Sequence, residues 1–137
     1  MISFTDDMVT ALDNSFSDQM IVTVASASTR GMPDIAFKGS AMAWDREHIA
    51  WWERSLGTTF RNLQENPQCC LLYRNSAARQ VWKFFGVAEV LTQGDLRQEV
   101  MDRTVQAELD RDPERKGAAV VVRVDKIVMG PRVLQER

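Results

Sequence analysis

The sequence is poor in the residues that most often bind metals or act as nucleophiles. It contains one histidine, His48, and two cysteines, Cys69 and Cys70, which are adjacent. A single histidine without a CxxC spacing cannot form a His/Cys zinc cluster. Neighbouring residues of a strand point to opposite faces, so a disulfide between the two cysteines would be strained. We interpret them as small half-buried apolar residues, with a redox role as the alternative.

Clustered basic residues and long apolar runs are also absent. Lys and Arg number 17 and Asp and Glu 19, which gives a net charge of −2. Nucleic-acid binding needs clustered Lys and Arg, so we expect no nucleic-acid partner. The longest apolar runs, such as residues 118–122, are too short to cross a bilayer. Asp6 and Asp7 stand where a signal peptide would need an apolar core, so we expect a cytoplasmic protein without membrane association.

Sequence motifs of the common catalytic and nucleotide-binding sites are missing as well. Neither GxGxxG nor GxxxxGK[ST] occurs, which excludes the usual nucleotide folds. His48 has no nucleophile elbow near it, which argues against a Ser-His-Asp site. A protein without an evident acid, base or nucleophile can still be an enzyme when a cofactor carries the chemistry. We therefore assign no catalytic residue and expect no metal.

The pattern that is present predicts a strand-rich domain. The length fits one domain over residues 1–137, and 45% hydrophobic and 26% charged residues are ordinary for a globular chain. Predicted strands are residues 20–27, 35–44, 48–53, 69–73, 80–91 and 118–124, with 127–134 continuing the last. Predicted helices are residues 5–14, 59–65 and 95–109. Because short turns join most strands, the sheet should be antiparallel and close as a barrel or sandwich.

The segment 57–62, GTTFRN, is the first candidate binding motif. It lies between the end of a predicted strand and the start of a predicted helix. The first turn of a helix offers unpaired N–H groups and the positive end of the helix dipole, which favour a phosphate. Thr58 and Thr59 add hydroxyl groups, and Arg61 adds a guanidinium. The alternative is that one of the threonines caps the helix.

Two further segments are weaker candidates. Residues 37–40, FKGS, place a glycine inside a predicted strand, which often marks the close approach of a backbone or a ligand. Lys38 beside it could face an anion, or could be an exposed lysine next to a bulge. Gln80 shares a strand face with Trp82 and Phe84 and could hydrogen-bond a planar heterocycle.

The adjacent tryptophans Trp51 and Trp52 suggest a contact outside the core. They point to opposite faces of a predicted strand, so only one can lie in the core of a one-sided sheet. We expect the other to meet a ligand or a partner chain.

Three of these segments, in this order, resemble one known family. Residues 52–72, WERSLGTTFRNLQENPQCCLL, resemble the strand–helix–strand of the pyridoxamine phosphate oxidase-like split barrels. Residues 31–33 with 37–40 resemble the second strand of that family, and residues 79–81 with 86–90 resemble the strand that follows. The resemblance runs from about residue 20 to residue 91, roughly half of the chain.

The resemblance implies a mainly β (α+β) fold, a six-stranded antiparallel split β-barrel with two or three peripheral helices. It also implies a homodimer that binds FMN at the subunit interface. The positions that match cofactor contacts are Lys38, Ser40, Thr58, Thr59, Arg61, Asn62 and Gln80. The first two would approach the flavin phosphate or ring edge. The threonines and the arginine would hold the phosphate, the asparagine would brace that loop, and the glutamine would approach the isoalloxazine ring.

The function implied is that of an FMN-dependent oxidoreductase acting on an unidentified small molecule. Family members often carry Lys or Arg where this chain has Thr58 or Thr59, which leaves a deazaflavin-dependent reductase as an alternative. A non-catalytic flavin-binding module and a purely structural dimer also remain open. The chain ends in QER rather than in the Arg-x-His substrate motif of the true oxidases. We therefore do not expect pyridoxamine phosphate as the substrate.

Overall fold

A computed structural model describes residues 1–137 as one antiparallel sheet with four helices packed around it. The strands are β1 (Val22–Ala27), β2 (Pro33–Lys38), β3 (Met42–Ala43), β4 (His48–Glu53), β5 (Gln68–Asn75), β6 (Gln80–Leu91), β7 (Ala118–Met129) and β8 (Arg132–Glu136). The helices are α1 (Asp6–Asp13), α2 (Thr58–Glu65), α3 (Asp95–Arg103) and α4 (Gln106–Leu109). None of these helices is long and apolar enough to cross a membrane.

The order of the strands forces the sheet to curl. Strands are hydrogen-bonded in the order β2-β1-β5-β6-β7-β4-β3, and β8 pairs with β7. Strands β2 and β3 thus lie at opposite edges of the sheet, although only residues 39–41 separate them in the chain. The four Cα steps from Lys38 to Met42 span at most about 14 Å. The two edges must therefore come close together, and the sheet forms a half-barrel.

The predicted mainly β antiparallel fold is confirmed, but the predicted six strands are wrong because the sheet has eight. The main error is the single strand predicted over residues 35–44. Its first part pairs with β1, where Ile35 faces Ala25, and its last part pairs with β4, where Met42 faces Ala50. One straight strand cannot pair with both β1 and β4, because these lie near opposite edges of the sheet. The chain therefore leaves the sheet at Gly39 and crosses from edge strand β2 to edge strand β3. We call the place where these two edges approach each other the seam.

Two other boundaries differ from the prediction. The last strand continues only to Met129 and not over all of residues 127–134, because Gly130 adopts a φ of +57° and reverses the chain, so that β8 folds back onto β7. The predicted helix 95–109 is two helices, since Thr104 is extended with φ −70° and ψ 139°. The hydroxyl of Thr104 donates to the carbonyl of Val100 at 2.7 Å and ends α3.

The core has two parts, one on each face of β4. Trp51 is fully buried in the main cluster inside the half-barrel, together with Leu12 of α1 and Phe84 of β6. Trp52 is 2% exposed and lies in a smaller cluster beneath α3 and α4. Both tryptophans thus lie in a core, because α3 and α4 cover the outer face of β4. Trp52 also borders a cavity of the fold, so its expected contact with a ligand or partner stays a prediction.

The cysteines are half-buried apolar residues, as predicted. Cys69 is buried and Cys70 is partly buried, and both are free thiols. Burial raises the pKa of Cys69 to about 12. Burial also raises the pKa of Cys70, although Lys83 and Lys126 partly oppose that rise. Neither thiol is therefore activated as a nucleophile.

We predict that Gly86→Ala destabilises the fold. A Cβ at this position would lie 2.3 Å from the carbonyl oxygen of Arg123 and 2.7 Å from a methyl group of Val122, at the bulge between β6 and β7. Overpacking of this kind lowers the free energy of unfolding by about 1–3 kcal/mol, measurable by urea unfolding. The control is Gly57→Ala, whose Cβ would have only the hydroxyl oxygen of Ser55, at 3.7 Å, within 4 Å. Equal stability of Gly86→Ala and the wild type would contradict the described register.

Candidate functional site

A cavity of about 710 Å³ opens beside the seam where the chain crosses from β2 to β3. Residues from β1, β2, β4, β5 and α4 and from the segments between them form its walls. The polar and charged lining residues are Gln19, Thr23, Lys38, Ser40, Glu53, Arg54, Ser55, Arg74, Glu108 and Arg111. The apolar lining residues are Phe16, Met20, Ile21, Phe37, Trp52 and Leu72. A cavity of this size, in which charged and polar groups converge beside apolar side chains, is typical of a small-molecule site.

A buried ion pair lies in the wall of this cavity. Lys38 Nζ is 2.9 Å from Glu53 Oε2, and the two side chains are 10% and 1% exposed. Glu53 also accepts hydrogen bonds from the indole N–H of Trp51 and the hydroxyl of Ser55, both at 3.0 Å. These donors offset the loss of hydration that a buried carboxylate suffers. The alternative of an exposed lysine next to a bulge is therefore wrong.

Ser40 and Arg54 hold the other walls together. The hydroxyl of Ser40 accepts from the backbone N–H of Trp52 at 2.9 Å and donates to the carbonyl of the same residue at 3.2 Å. This fastens the segment between β2 and β3 to β4. Arg54 Nε donates to Glu108 Oε2 at 3.1 Å, which ties the end of β4 to α4. The cavity is thus framed by contacts between elements that are distant in sequence.

The amino terminus of α2 has the features of a phosphate site. Gly57 occupies the cap position, no side chain caps the helix, and the first turn holds no acidic residue. The alternative that Thr58 or Thr59 caps the helix is wrong, because both lie inside it. Arg61 Nη2 donates to Thr58 Oγ1 at 3.2 Å, so a guanidinium and a hydroxyl lie side by side. The first N–H groups of a helix lack intrahelical partners, so these groups fit an anion.

The predicted cofactor residues fall into three places. Lys38 and Ser40 line the cavity. Thr58, Thr59, Arg61 and Asn62 share α2, where the amide of Asn62 donates to Ser26 Oγ at 3.1 Å and braces the helix against β1. Gln80 lies at the start of β6 opposite Asn75, outside the cavity lining. Their contacts with a cofactor remain predictions.

A short chain of contacts connects the first two places. Ser55, which donates to Glu53, precedes the cap of α2 by two residues. The carboxylate that holds Lys38 therefore also holds the loop that leads into the helix. Cavity and helix terminus are parts of one structural unit.

Several lining residues were not identified from the sequence. Only Glu53 could have been noticed, since it is a carboxylate that continues the apolar run IAWW within the same predicted strand. Arg74, Glu108 and Arg111 gave no local signal. Arg74 reaches the cavity because the sheet order brings β5 to the seam. Glu108 and Arg111 reach it because the end of α4 packs there.

Comparisons place the chain in a family with this fold. The sequence profile of the family described as pyridoxamine 5'-phosphate oxidase matches residues 8–127, and the chain belongs to this family. Among curated proteins, none matches the chain.

Three solved structures illustrate the likeness of fold. A candidate pyridoxamine 5'-phosphate oxidase from Lactobacillus delbrueckii superposes with a TM-score of 0.74 at 17% identity, over 93% of this chain and 94% of that one. An FMN-binding protein from Syntrophomonas wolfei gives 0.67 at 11% identity, over 96% and 88%. An F420 reductase gives 0.60 at 16% identity, over 80% and 89%. At these identities the likeness concerns the fold alone.

We predict that Lys38→Met strongly destabilises the protein. It leaves the Glu53 charge buried without its cation, and breaking a buried pair in this way costs about 3–5 kcal/mol. The double variant Lys38→Met/Glu53→Gln should recover part of this loss, because the remaining side chain is neutral. Urea unfolding of both variants and of Glu53→Gln gives the coupling energy.

The matched control for this cycle is Lys116→Met. Lys116 pairs with Glu114, and the two side chains are 74% and 70% exposed. Removing an exposed pair changes the free energy of unfolding by about 0–1 kcal/mol. A loss for Lys38→Met no larger than that of the control would show that the buried pair does not stabilise the seam.

Proposed function

We propose that the chain binds FMN and acts as an FMN-dependent oxidoreductase on a small molecule. The observation that carries this proposal is the uncapped amino terminus of α2, with Arg61 beside it, joined through Ser55 and Glu53 to a cavity of about 710 Å³. Family membership and the fold shared with an FMN-binding protein support the choice of cofactor.

The predicted cofactor residues have the chemistry that the phosphate and the ring of FMN require. Thr58, Thr59 and Arg61 would hold the phosphate, since the helix end, a guanidinium and a hydroxyl meet there. Lys38 would offer an ammonium N–H group to the cofactor, because Glu53 holds that ammonium in the cavity wall. When bound, the flavin supplies hydride or electron transfer. The apolar walls of the cavity would exclude water from the reacting groups.

A homodimer is the second part of the proposal. The outer face of β2 exposes Ile35 and Phe37, at 73% and 76%, and Met32 just before the strand is 70% exposed. Exposed neighbouring apolar side chains of this size mark an interaction surface. Phe37 and Leu72 also line the cavity, so a second copy on this face would complete its wall. In such a dimer the cofactor would lie at the subunit interface.

We expect Phe37→Glu to shift the protein from dimer to monomer. A carboxylate at the centre of an apolar interface loses its hydration without gaining a partner, so association weakens. Light scattering after size-exclusion chromatography measures the molar mass directly. The control is Val105→Glu, which alters an apolar residue, 38% exposed, between α3 and α4. A monomeric wild type, or a dimeric Phe37→Glu variant, would refute this interface.

We expect FMN to bind with one molecule per chain and riboflavin to bind more weakly. Riboflavin lacks the phosphate, and losing one or two charge-assisted hydrogen bonds weakens binding by about tenfold to a hundredfold. Arg61→Gln should weaken FMN binding about tenfold and leave riboflavin binding unchanged. Quenching of flavin fluorescence during titration measures both affinities.

The control for the flavin titration is Arg132→Gln, an exposed arginine on β8. It should bind both flavins as the wild type does. Absence of flavin binding by the wild type would refute the proposed function, and equal affinities for FMN and riboflavin would refute the phosphate site.

A deazaflavin cofactor is the second candidate. The neutral Thr58 and Thr59 at the helix end and the fold shared with an F420 reductase favour it. Parallel titrations with FMN and with F420 distinguish the two cofactors. Tighter binding of F420 would make the chain a deazaflavin protein. Bound FMN that is reduced by dithionite but not turned over with any donor and acceptor would indicate a flavin-binding module.

A further inference from the structure

Residues 105–111, which include α4, form an exposed segment between two buried anchors, and we call this segment the strap. Its only buried residue is Leu109. Thr104 precedes the strap and Asp112 follows it, and both are buried. Thr104 ends α3 through its hydrogen bond at 2.7 Å, and the Asp112 carboxylate accepts from the indole N–H of Trp52 at 2.9 Å. The ends of the strap are therefore fixed, whereas little of its middle is buried.

The strap forms part of the cavity wall, and one ion pair fastens it there. Glu108 and Arg111 line the cavity. Arg54 Nε donates to Glu108 Oε2 at 3.1 Å, and the side chain of Glu108 is 13% exposed. The carbonyl of Leu109 accepts from Arg115, beside the second anchor. No other side chain of the strap pairs with a residue outside it, so the position of the strap depends on Leu109 and on this ion pair.

Gly39, in the segment that crosses from β2 to β3, provides the space for the Glu108 carboxylate. A Cβ at position 39 would overlap Oε1 of Glu108 and would lie 3.3 Å from the ring of Phe16. The absence of a side chain at this position lets the carboxylate lie against the backbone at the seam. The closed position of the strap therefore needs both the charge of Arg54 and the space at Gly39.

We propose that the strap is a movable wall of the cavity, which the Arg54–Glu108 pair holds closed and which opens about its two anchors to admit the cofactor. Segments with few buried apolar contacts open locally at a small fraction of the free energy of global unfolding. Movable walls of this kind control the rates at which ligands enter and leave a site. The inference rests on the proposed function for the identity of the ligand, and it adds a control of access to the same site.

Hydrogen exchange of the purified protein without cofactor tests the movement of the strap. The backbone N–H groups of residues 108–111 donate within the strap, and a helix of four residues is not stable without its packing contacts. Opening of the strap therefore exposes these amides. We expect Glu108→Gln to speed their exchange about threefold to tenfold, because a charge-assisted hydrogen bond is weakened. The amides of β7 should exchange as in the wild type.

Gly39→Ala is an independent variant, because its methyl group displaces the same carboxylate without changing any charge. It should speed exchange in the strap as Glu108→Gln does, and the double variant should add little. The matched control is Glu114→Gln, since Glu114 pairs with Lys116 outside the strap and both side chains are exposed. The control should leave exchange in the strap unchanged.

Two exchange results would overturn the inference. The first is unchanged exchange of residues 108–111 in both Glu108→Gln and Gly39→Ala. The second is an equal increase in the strap and in β7, because the ion pair would then stabilise the whole fold and would not hold a separate segment.

Stopped-flow mixing with FMN measures access to the site. A wall that opens and closes changes association and dissociation by the same factor. Glu108→Gln should therefore speed both rates about threefold to tenfold and leave Kd within about twofold of the wild type. A change in dissociation alone would overturn the inference, since Glu108 would then support the bound cofactor. Faster exchange with unchanged FMN rates would overturn it as well, since the strap would not control access.

The failure of this inference can be distinguished from that of the proposed function. If the wild type binds no flavin but Glu108→Gln speeds exchange in the strap alone, the proposed function fails and the movable wall stands. If Glu108→Gln binds FMN at the rates of the wild type and its strap exchanges as in the wild type, only the movable wall is refuted.

Discussion

The buried ion pair between Lys38 and Glu53 is the contact on which the rest of the structure depends. It joins the end of β2 at one edge of the sheet to the end of β4 near the other edge. Both charges lose most of their hydration, so the pair is tolerable only because the indole of Trp51 and the hydroxyl of Ser55 also donate to the carboxylate. The contact that closes the half-barrel therefore depends on all four residues, Lys38, Glu53, Trp51 and Ser55.

This contact also explains why the cavity and the end of α2 are arranged together. The ammonium of Lys38 is fixed in the cavity wall, and Ser55 is fixed in the loop that enters the helix. Ser40 also joins the segment between β2 and β3 to β4, through two hydrogen bonds with the backbone of Trp52. The same residues that close the sheet thus determine where charged groups face the cavity. The contacts that stabilise the fold therefore also fix part of the cavity lining.

The sequence predicted the regular elements well where a local pattern determines them. The bounds of β4 and β6 agree with the prediction to the residue, because apolar and β-branched runs there are delimited by turn residues. The strand predicted over residues 35–44 failed because its apolar run continues across Gly39, and only the pairing partners show that the chain changes edges. The turn at Gly130 was misjudged for a similar reason, since a glycine can either reverse a chain or extend it.

The candidate site was predictable in part. The segment of α2 was recognisable because a glycine, two threonines and an arginine stand at a strand-to-helix junction. Arg74 and Arg111 were not recognisable, because nothing local distinguishes them from solvated arginines. They line the cavity only because the sheet order and the packing of α4 bring them to it. The burial of Trp52 was not predicted, because the helices that cover it come later in the chain.

A crystal structure of the protein grown with FMN tests the central claim most directly. The account predicts the phosphate at the first turn of α2, within hydrogen-bond distance of Thr58 and Arg61, and no cofactor phosphate on Arg74 or Arg111. A phosphate bound by the two cavity arginines, or a crystal without bound flavin at saturating FMN, would contradict it.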